Sequence, residues 1–343
     1  MIFLNLCFII SNFQKNNKNS LYRKASKKRK KRKYKKPKYK SKLNIILFTI
    51  IIIFFFTFLT LLTIGIYRNN YFDFIFKRKP KIVAISYSNE RFQRQLQLNK
   101  KSAIEVGEVD EYYSYGPNDI DPVFKEKNKD ILSRSRGNGY WLWKPYIINK
   151  TMIEKLKYGD YLIYTDAAIL YMNSTRLIIN FMKEHKAKIW GNKLVLKERT
   201  WTKRDALILM DADTPYYYDT NQYMAGIQVY QKSKYAIKFI QDLLKYSQDV
   251  RIITDDNNVM GKENLPGFRE NRHDQTVFSL LLKKYGEANS GSPNMTIDQL
   301  NHLKPVIMPN ILCMYRTIGF KDYEDLINIC RNKFIKQHVY EIT

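Results

Sequence analysis

The chain has 343 residues, 45% hydrophobic and 14% aromatic, which is enough apolar material for one substantial core and excludes a wholly disordered protein. Its net charge of +27 resembles that of a nucleic-acid binder, but residues 1–42 hold 16 of the 59 Lys and Arg and no acid. The remainder, 43 basic against 32 acidic residues, is only moderately basic, so the extreme charge belongs to a tail.

Residues 43–66 carry no charged side chain. At 1.5 Å rise per residue the run spans a hydrocarbon core of about 30 Å, and it is too long and begins too late for a cleavable signal peptide. It reads as a signal anchor. The cluster "KASKKRKKRKYKKPKYK" on its N-terminal side would alone suggest nuclear targeting or a nucleic-acid patch. Beside a membrane span it is a topology determinant that touches anionic lipid and stays in the cytoplasm. The expected division is a basic tail at 1–42, a span at 43–66, a short stem at 67–80 and one domain at 81–343, facing a lumen or the exterior as a single-pass type II protein. Three glycosylation triplets follow the span, at Asn149, Asn173 and Asn294. Cys7 falls on the cytoplasmic side, whereas Cys313 and Cys330 share the oxidising side, either as one disulfide or as two buried thiols.

Beyond Pro80, "KIVAISYS" predicts a first strand, "NERFQRQLQLNKKSA" a helix and "IEVGEV" a candidate strand. "WKPYIINKTMIEKLKYG" has helical apolar spacing, and "DYLIYTD" is a strand of the fully buried kind. "STRLIINFMKEH" and "YAIKFIQDLLKYSQ" are amphipathic helices, with "AKIWGN" and "AGIQVYQ" as strands. Helix and strand in alternation predict an α/β sheet with helices on both faces.

In such sheets ligands collect at the carboxyl ends of strands. Asp166 stands there, after "YLIYT" and before the small Ala167 and Ala168, where a carboxylate can meet a divalent cation and a diphosphate or can simply cap the next segment. "LILMDADTP" contains a literal Asp-x-Asp, Asp211 and Asp213; Thr202 and Asp205 resemble a capping box opening a helix before it, which makes these loop acids. In "ENRHDQTVFSLLLKKYG", Arg272, His273, Asp274 and Gln275 gather at a helix start, where free N–H groups and the dipole favour anions; Asp274 can equally be the cap.

Taken in order, "GNGYWLWKPYII", "GDYLIYTDAA", "TKRDALILMDAD", "YMAGIQVYQKS" and "ENRHDQTVFSLLLKKYG" resemble the GT-A type of nucleotide-sugar-dependent glycosyltransferases, from about residue 137 to 286. The resemblance implies a mixed, mostly parallel sheet flanked by helices, a nucleotide-sugar donor, a glycan or glycoprotein acceptor, and a Golgi or ER lumen in a eukaryotic host. It implies that Asp166 takes the first position of the metal-binding Asp-x-Asp, holding Mn²⁺ or Mg²⁺, although Ala168 replaces the second acid. "MAGIQVY" is similar to the Asn-Ala-Gly strand of glycogenin-like transferases with Met224 for Asn, and "HDQTVFSLL" resembles their Asp-Gln helix beside the donor sugar. The Trp-Lys-Pro segment is similar to the helix before the metal strand in several Golgi transferases.

The chemistry requires that the leaving diphosphate be neutralised by a metal, by cations or by both. The expected donor-binding residues are Arg136, Trp141, Trp143, Lys144, Asp166, His273 and Gln275, the tryptophans serving either to stack on a ring or to pack the core. The expected catalytic carboxylate is Asp274, with Asp211 or Asp213 behind it; an inverting reaction needs such a base and a retaining one does not. A catalytically inactive, membrane-anchored glycan-binding protein is the alternative, favoured by the missing acid. A hydrolase has no supporting motif: His-Glu-x-x-His, Gly-x-Ser-x-Gly and a Walker loop are all missing.

Overall fold

A computed structural model describes residues 39–75, 78–286, 312–314 and 322–339. Most of the basic tail, Cys7 and the triplet at Asn294 lie outside the described residues. The chain divides into two units, Met1–Arg78 and Lys79–Thr343.

In the first unit one helix, α1 (Tyr39–Ile75), runs for 37 residues. Its stretch Ile46–Gly65 has a mean hydropathy of 2.7 and is long and apolar enough to cross a membrane by length and composition. The hydroxyls of Thr57, Thr60 and Thr63 donate to carbonyls three and four residues back, so these three side chains are satisfied within the helix. The helix continues through residues expected to form the stem.

The second unit is a mixed α/β layer structure. β1 (Ile82–Tyr87), α2 (Gln93–Glu105), β2 (Glu111–Tyr115), α3 (Trp143–Glu154) and β3 (Tyr161–Thr165) are followed by β4 (Ile169–Tyr171) and α4 (Arg176–Glu184). Then come β5 (Ile189–Lys197), α5 (Arg204–Leu209), β6 (Asn221–Gln231), α6 (Lys234–Ser247), α7 (Asp274–Lys284), β7 (Leu312–Met314) and α8 (Tyr323–Val339), with short helices of three to six residues between. The main sheet has the order β2-β1-β3-β6-β5. β1 is parallel to β2 and β3, and β6 is antiparallel to both β3 and β5, so four strands share a direction and β6 opposes them. This is the mixed, mostly parallel sheet that the resemblance implied.

Alternation along the strands builds two cores. Val83 and Ile85 join Leu162, Ile147, Phe239 and Phe278 on the face covered by α3, α6 and α7. Ile82 and Ala84 join Tyr161, Ile163, Ile178 and Met182 on the face covered by α2 and α4. β1 and β3 are buried along their whole length, as continuous apolar strands of parallel sheets are.

Two local expectations fail for physical reasons. "IEVGEV" is not a strand: α2 ends there, with the N–H groups of Val106 and Gly107 both bonded to the Ser102 carbonyl, and the second strand is the tyrosine-rich segment that follows. Thr202 does not cap α5. Its hydroxyl donates to Glu198, and the Asp205 carboxylate instead accepts from the backbone of Val259 and Met260.

A second, two-stranded sheet pairs β4 with β7, and Cys313 is disulfide-bonded to Cys330 of α8. The bridge is buried with Ala168, Leu170 and Leu326 in a third apolar cluster.

Candidate active site

The parallel strands deliver their ends to one edge of the sheet. β1 leads into Tyr87, Ser88 and Asn89, and β3 leads into Asp166. Ser88 is buried, and its Oγ and the Asn89 Oδ1 have no hydrogen-bond partner among the described residues, so two polar atoms stand ready for something outside the fold.

The segment before α3 supplies one wall. Residues 137–141 all have positive φ, from 49° to 92°. Glycine takes this region without strain and asparagine at little cost, but each of Tyr140 and Trp141 costs on the order of 1–2 kcal/mol there. A Cβ on Gly139 would stand 2.7 Å from the Leu132 Cα, so the turn also needs glycine for space. Side chains hold it: Trp143 Nε1 donates to the Gly137 carbonyl at 3.0 Å, and Asn138 Nδ2 donates to the Tyr87 hydroxyl at 2.6 Å. The ring of Tyr87 stacks on Trp143 with centroids 3.8 Å apart, and burial pushes the Tyr87 hydroxyl up to about 12.

Lys144, in the first turn of α3, is 3% exposed. Its Nζ donates to Asp274 Oδ2 at 2.5 Å and to the Ala225 carbonyl at 3.3 Å, and it lies 3.3 Å from Asp166 Oδ1. Asp166 also accepts from the Tyr164 hydroxyl at 2.7 Å, and its N–H bonds the Gly226 carbonyl of β6 at 2.9 Å. One ammonium thus ties the end of β3 to the start of α7. Desolvation works against the charge on Lys144 and is outweighed by the two carboxylates, which hold its pKa above the usual lysine range. Desolvation also pushes the Asp274 carboxyl up, against the pull of Lys144. Asp274 is not the helix cap: the N-cap position belongs to His273, and the Asp274 carboxylate turns to Lys144.

Two lobes of one cleft meet at this trio. The larger, about 260 Å³, is lined by Tyr87, Ser88, Asn89, Trp141, Trp143 and Ala168 among others, and the smaller, about 150 Å³, by Lys144, Gly226, Arg272, His273, Asp274 and Gln275 among others. Asp166 and Trp141 line both. His273 stacks on Trp141 at 5.3 Å, and its Nδ1 faces the Ile253 carbonyl at 2.8 Å, which fixes the proton on Nδ1 and leaves Nε2 as an acceptor. Arg136 also lines the smaller lobe and pairs with Asp255 and Glu270.

Of the residues singled out from sequence, Arg136, Trp141, Trp143, Lys144, Asp166, His273, Asp274 and Gln275 come together around the two lobes. Asp211 and Asp213 line neither. Asp211 is fully exposed beside Lys284, and Asp213 is held by Arg204 at 2.8 Å and Lys262 at 2.9 Å. Sequence reasoning missed Ser88 and Asn89, which follow a buried strand as Asp166 does. It also missed Asn138 and Tyr164, for which the sequence carries no signal.

Among the described residues no three His, Cys, Asp or Glu side chains form a group that could hold a metal. At the junction the carboxylates of Asp166 and Asp274 both face Lys144 and Asp166 lines both lobes, which is compatible with the way Mg²⁺ is usually held, by one or two carboxylates with substrate phosphates and water completing the shell.

No protein-family model matches the chain, and no curated protein matches it in sequence. Among solved structures it is similar to the apo form of mouse xyloside xylosyltransferase 1, at 12% identity over 61% of this chain and 83% of that one, with a TM-score of 0.33. It is similar to the galactosyltransferase LgtC in complex with donor and acceptor sugar analogues, at 11% identity over 74% and 95%, with a TM-score of 0.39. A third is core-mannan synthase A (Ktr4) of Aspergillus fumigatus in its Mn and GDP form, at 10% identity over 60% and 70%, with a TM-score of 0.34. All three are glycosyltransferases.

Proposed function

We propose that this chain is a membrane-anchored glycosyltransferase that moves a hexose from a nucleoside-diphosphate sugar to a glycan or glycoprotein acceptor. The observation that supports it is the meeting of Lys144, Asp166 and Asp274 at the junction of an aromatic-walled lobe and a smaller polar one. A nucleoside and a sugar flanking a diphosphate have that same division of chemistry.

In this reading the nucleoside takes the lobe of Tyr87, Ser88 and Asn89, with Trp141 and Trp143 as ring walls. The sugar takes the lobe of His273 and Gln275. Lys144 and Arg136 bring positive charge to the leaving diphosphate. With all three groups ionised the trio carries one net negative charge, which favours a divalent cation at Asp166. When bound, that cation would neutralise charge on the diphosphate. Asp274, its carboxyl raised by burial toward the range of a general base, receives the acceptor's proton. The chain is anchored through residues 43–66, with the N-terminus in the cytoplasm and the catalytic unit in a Golgi or ER lumen.

The test is release of free nucleotide by the full chain in detergent, from a panel of nucleotide sugars with Mn²⁺ or Mg²⁺, beside Asp166→Ala. Turnover of one donor that is lost in the variant supports the reading. No turnover and no nucleotide binding would favour the glycan-binding alternative, which the alanine at position 168 already suggests.

A further inference from the structure

A second buried ion pair lies outside the trio. Glu198, on the single turn Glu198–Trp201, is fully buried, and Lys283 of α7, itself buried, places its Nζ 2.7 Å from Glu198 Oε1. The same carboxylate accepts from the hydroxyls of Ser279 and Thr202, and from Gln222 Nε2 at 2.9 Å.

These contacts have a polarity. A carboxylate paired with an ammonium can only accept, so Gln222 must turn its amide nitrogen to Glu198. The Trp201 carbonyl, 3.3 Å from that nitrogen and also acceptor-only, imposes the same orientation. Gln222 Oε1 therefore faces the other way, where Gln275 Nε2 donates to it at 2.8 Å. That fixes the Gln275 amide as well, with its nitrogen toward Gln222 and its oxygen away from it. No described residue donates to Gln275 Oε1, and Gln275 lines the smaller lobe beside Asp274.

We infer that Glu198 is a positioning residue for the cleft: through Gln222 it orients the Gln275 amide so that the smaller lobe presents a hydrogen-bond acceptor, which selects a ligand hydroxyl. The inference rests on the transferase reading for the identity of that ligand, a donor sugar, and on the hydrogen-bond chain for everything else. A site built to bond a hydroxyl rejects an analogue that lacks it far more strongly than an apolar wall does.

The experiment uses the full chain in detergent, labelled with ¹⁵N-glutamine. It compares the wild type with Glu198→Gln/Lys283→Met and with Gln275→Met; removing both charges together avoids a lone buried ammonium. The probes are UDP and GDP, each free and as a panel of hexose conjugates. The expected result is a wild type that prefers one conjugate to its free nucleotide. Each variant then lowers that preference about 5- to 10-fold, the loss of roughly one hydrogen bond, leaves free-nucleotide affinity unchanged, and adds nothing when the variants are combined. The Gln275 side-chain amide exchanges slowly with solvent in the wild type and fast in Glu198→Gln/Lys283→Met. A folded double variant with its preference intact, or losses that add, overturns the positioning role. Fast exchange of the Gln275 amide in a wild type that binds nucleotide overturns the relay alone. No nucleotide binding by the wild type overturns the transferase reading and, with it, the ligand assigned to Gln275.

Discussion

Gly226 of β6 faces Asp166 so closely that a Cβ on the glycine would stand 3.0 Å from Asp166 Oδ2. Asp166 cannot retreat freely, because Tyr164 and Lys144 hold its other oxygen. Gly226→Ala is therefore expected to displace the carboxylate by a few tenths of an ångström and to reduce nucleotide release roughly 10- to 100-fold. Stability should fall by only about 1–3 kcal/mol. Unchanged turnover would show that the position of Asp166 does not matter to the chemistry.

Removing Lys144 leaves a buried carboxylate without its cation. Lys144→Met should destabilise the second unit by about 3–5 kcal/mol, and Lys144→Met/Asp274→Asn by less than the single change, because the double variant no longer leaves the more deeply buried of the two carboxylates, Asp274, facing an apolar side chain. Chemical denaturation of the three proteins checks the order. A double variant no more stable than the single one would mean that the trio is not an energetic unit.

His273 should make the fold sensitive to mild acid. Desolvation holds its pKa below the usual value of 6.5, with Asp255 and Asp274 opposing and Arg136 assisting. Because the folded-state value is depressed, the unfolded chain binds the proton first, so stability is intact above about pH 6.5 and falls as pH drops toward the folded value. In His273→Asn that part of the pH dependence should vanish from thermal melts taken between pH 7 and pH 5. A slope equal to the wild type's would assign it to another group.

The glycosylation triplets differ in structure. Asn173 is exposed in the loop between β4 and α4, whereas Asn149 lies inside α3 and its partner Thr151 is buried, with its hydroxyl bonded to the Ile147 carbonyl. If the second unit is lumenal, Asn173→Gln should abolish one glycosidase-sensitive mobility shift, and Asn149→Gln should change nothing. A chain with no shift at all would argue against the orientation.

The Cys313–Cys330 bond closes a loop with a sequence separation of 17. Reduction, or the pair of serine substitutions, should cost about 3 kcal/mol on the loop-entropy estimate. Thermal melts with and without a reductant measure it, and identical melts would mean that packing alone holds α8.

What could be read from the sequence was whatever a single element displays. Asp166 declares itself by following the mostly apolar run Tyr161–Thr165, and the group 272–275 by standing at the start of a helix. What could not be read depends on partners distant in the chain. Asp211 and Asp213 read from the sequence as loop acids, but their cationic neighbours Arg204, Lys262 and Lys284 could not be read there. Lys144 and Asp274 are 130 residues apart, and nothing in either neighbourhood announces their bond. Glu198 resembles any helix-start acid, because its burial is set by β6 and α7 rather than by its own turn. The left-handed turn at 137–141 is hinted at by two glycines, but three non-glycine residues adopt the same backbone.

Ala168 stands two residues past Asp166 and belongs to the same apolar cluster as Cys313, Leu326 and Cys330. The strand that begins just after it, β4, pairs with β7. The floor of the cleft is thus backed by residues that leave the ribosome after every other residue of the cleft. A nascent chain stopped at residue 300 would hold Lys144, Asp166 and Asp274 but lack the backing beneath them. The cleft is completed from behind, and in the order of synthesis it is completed last.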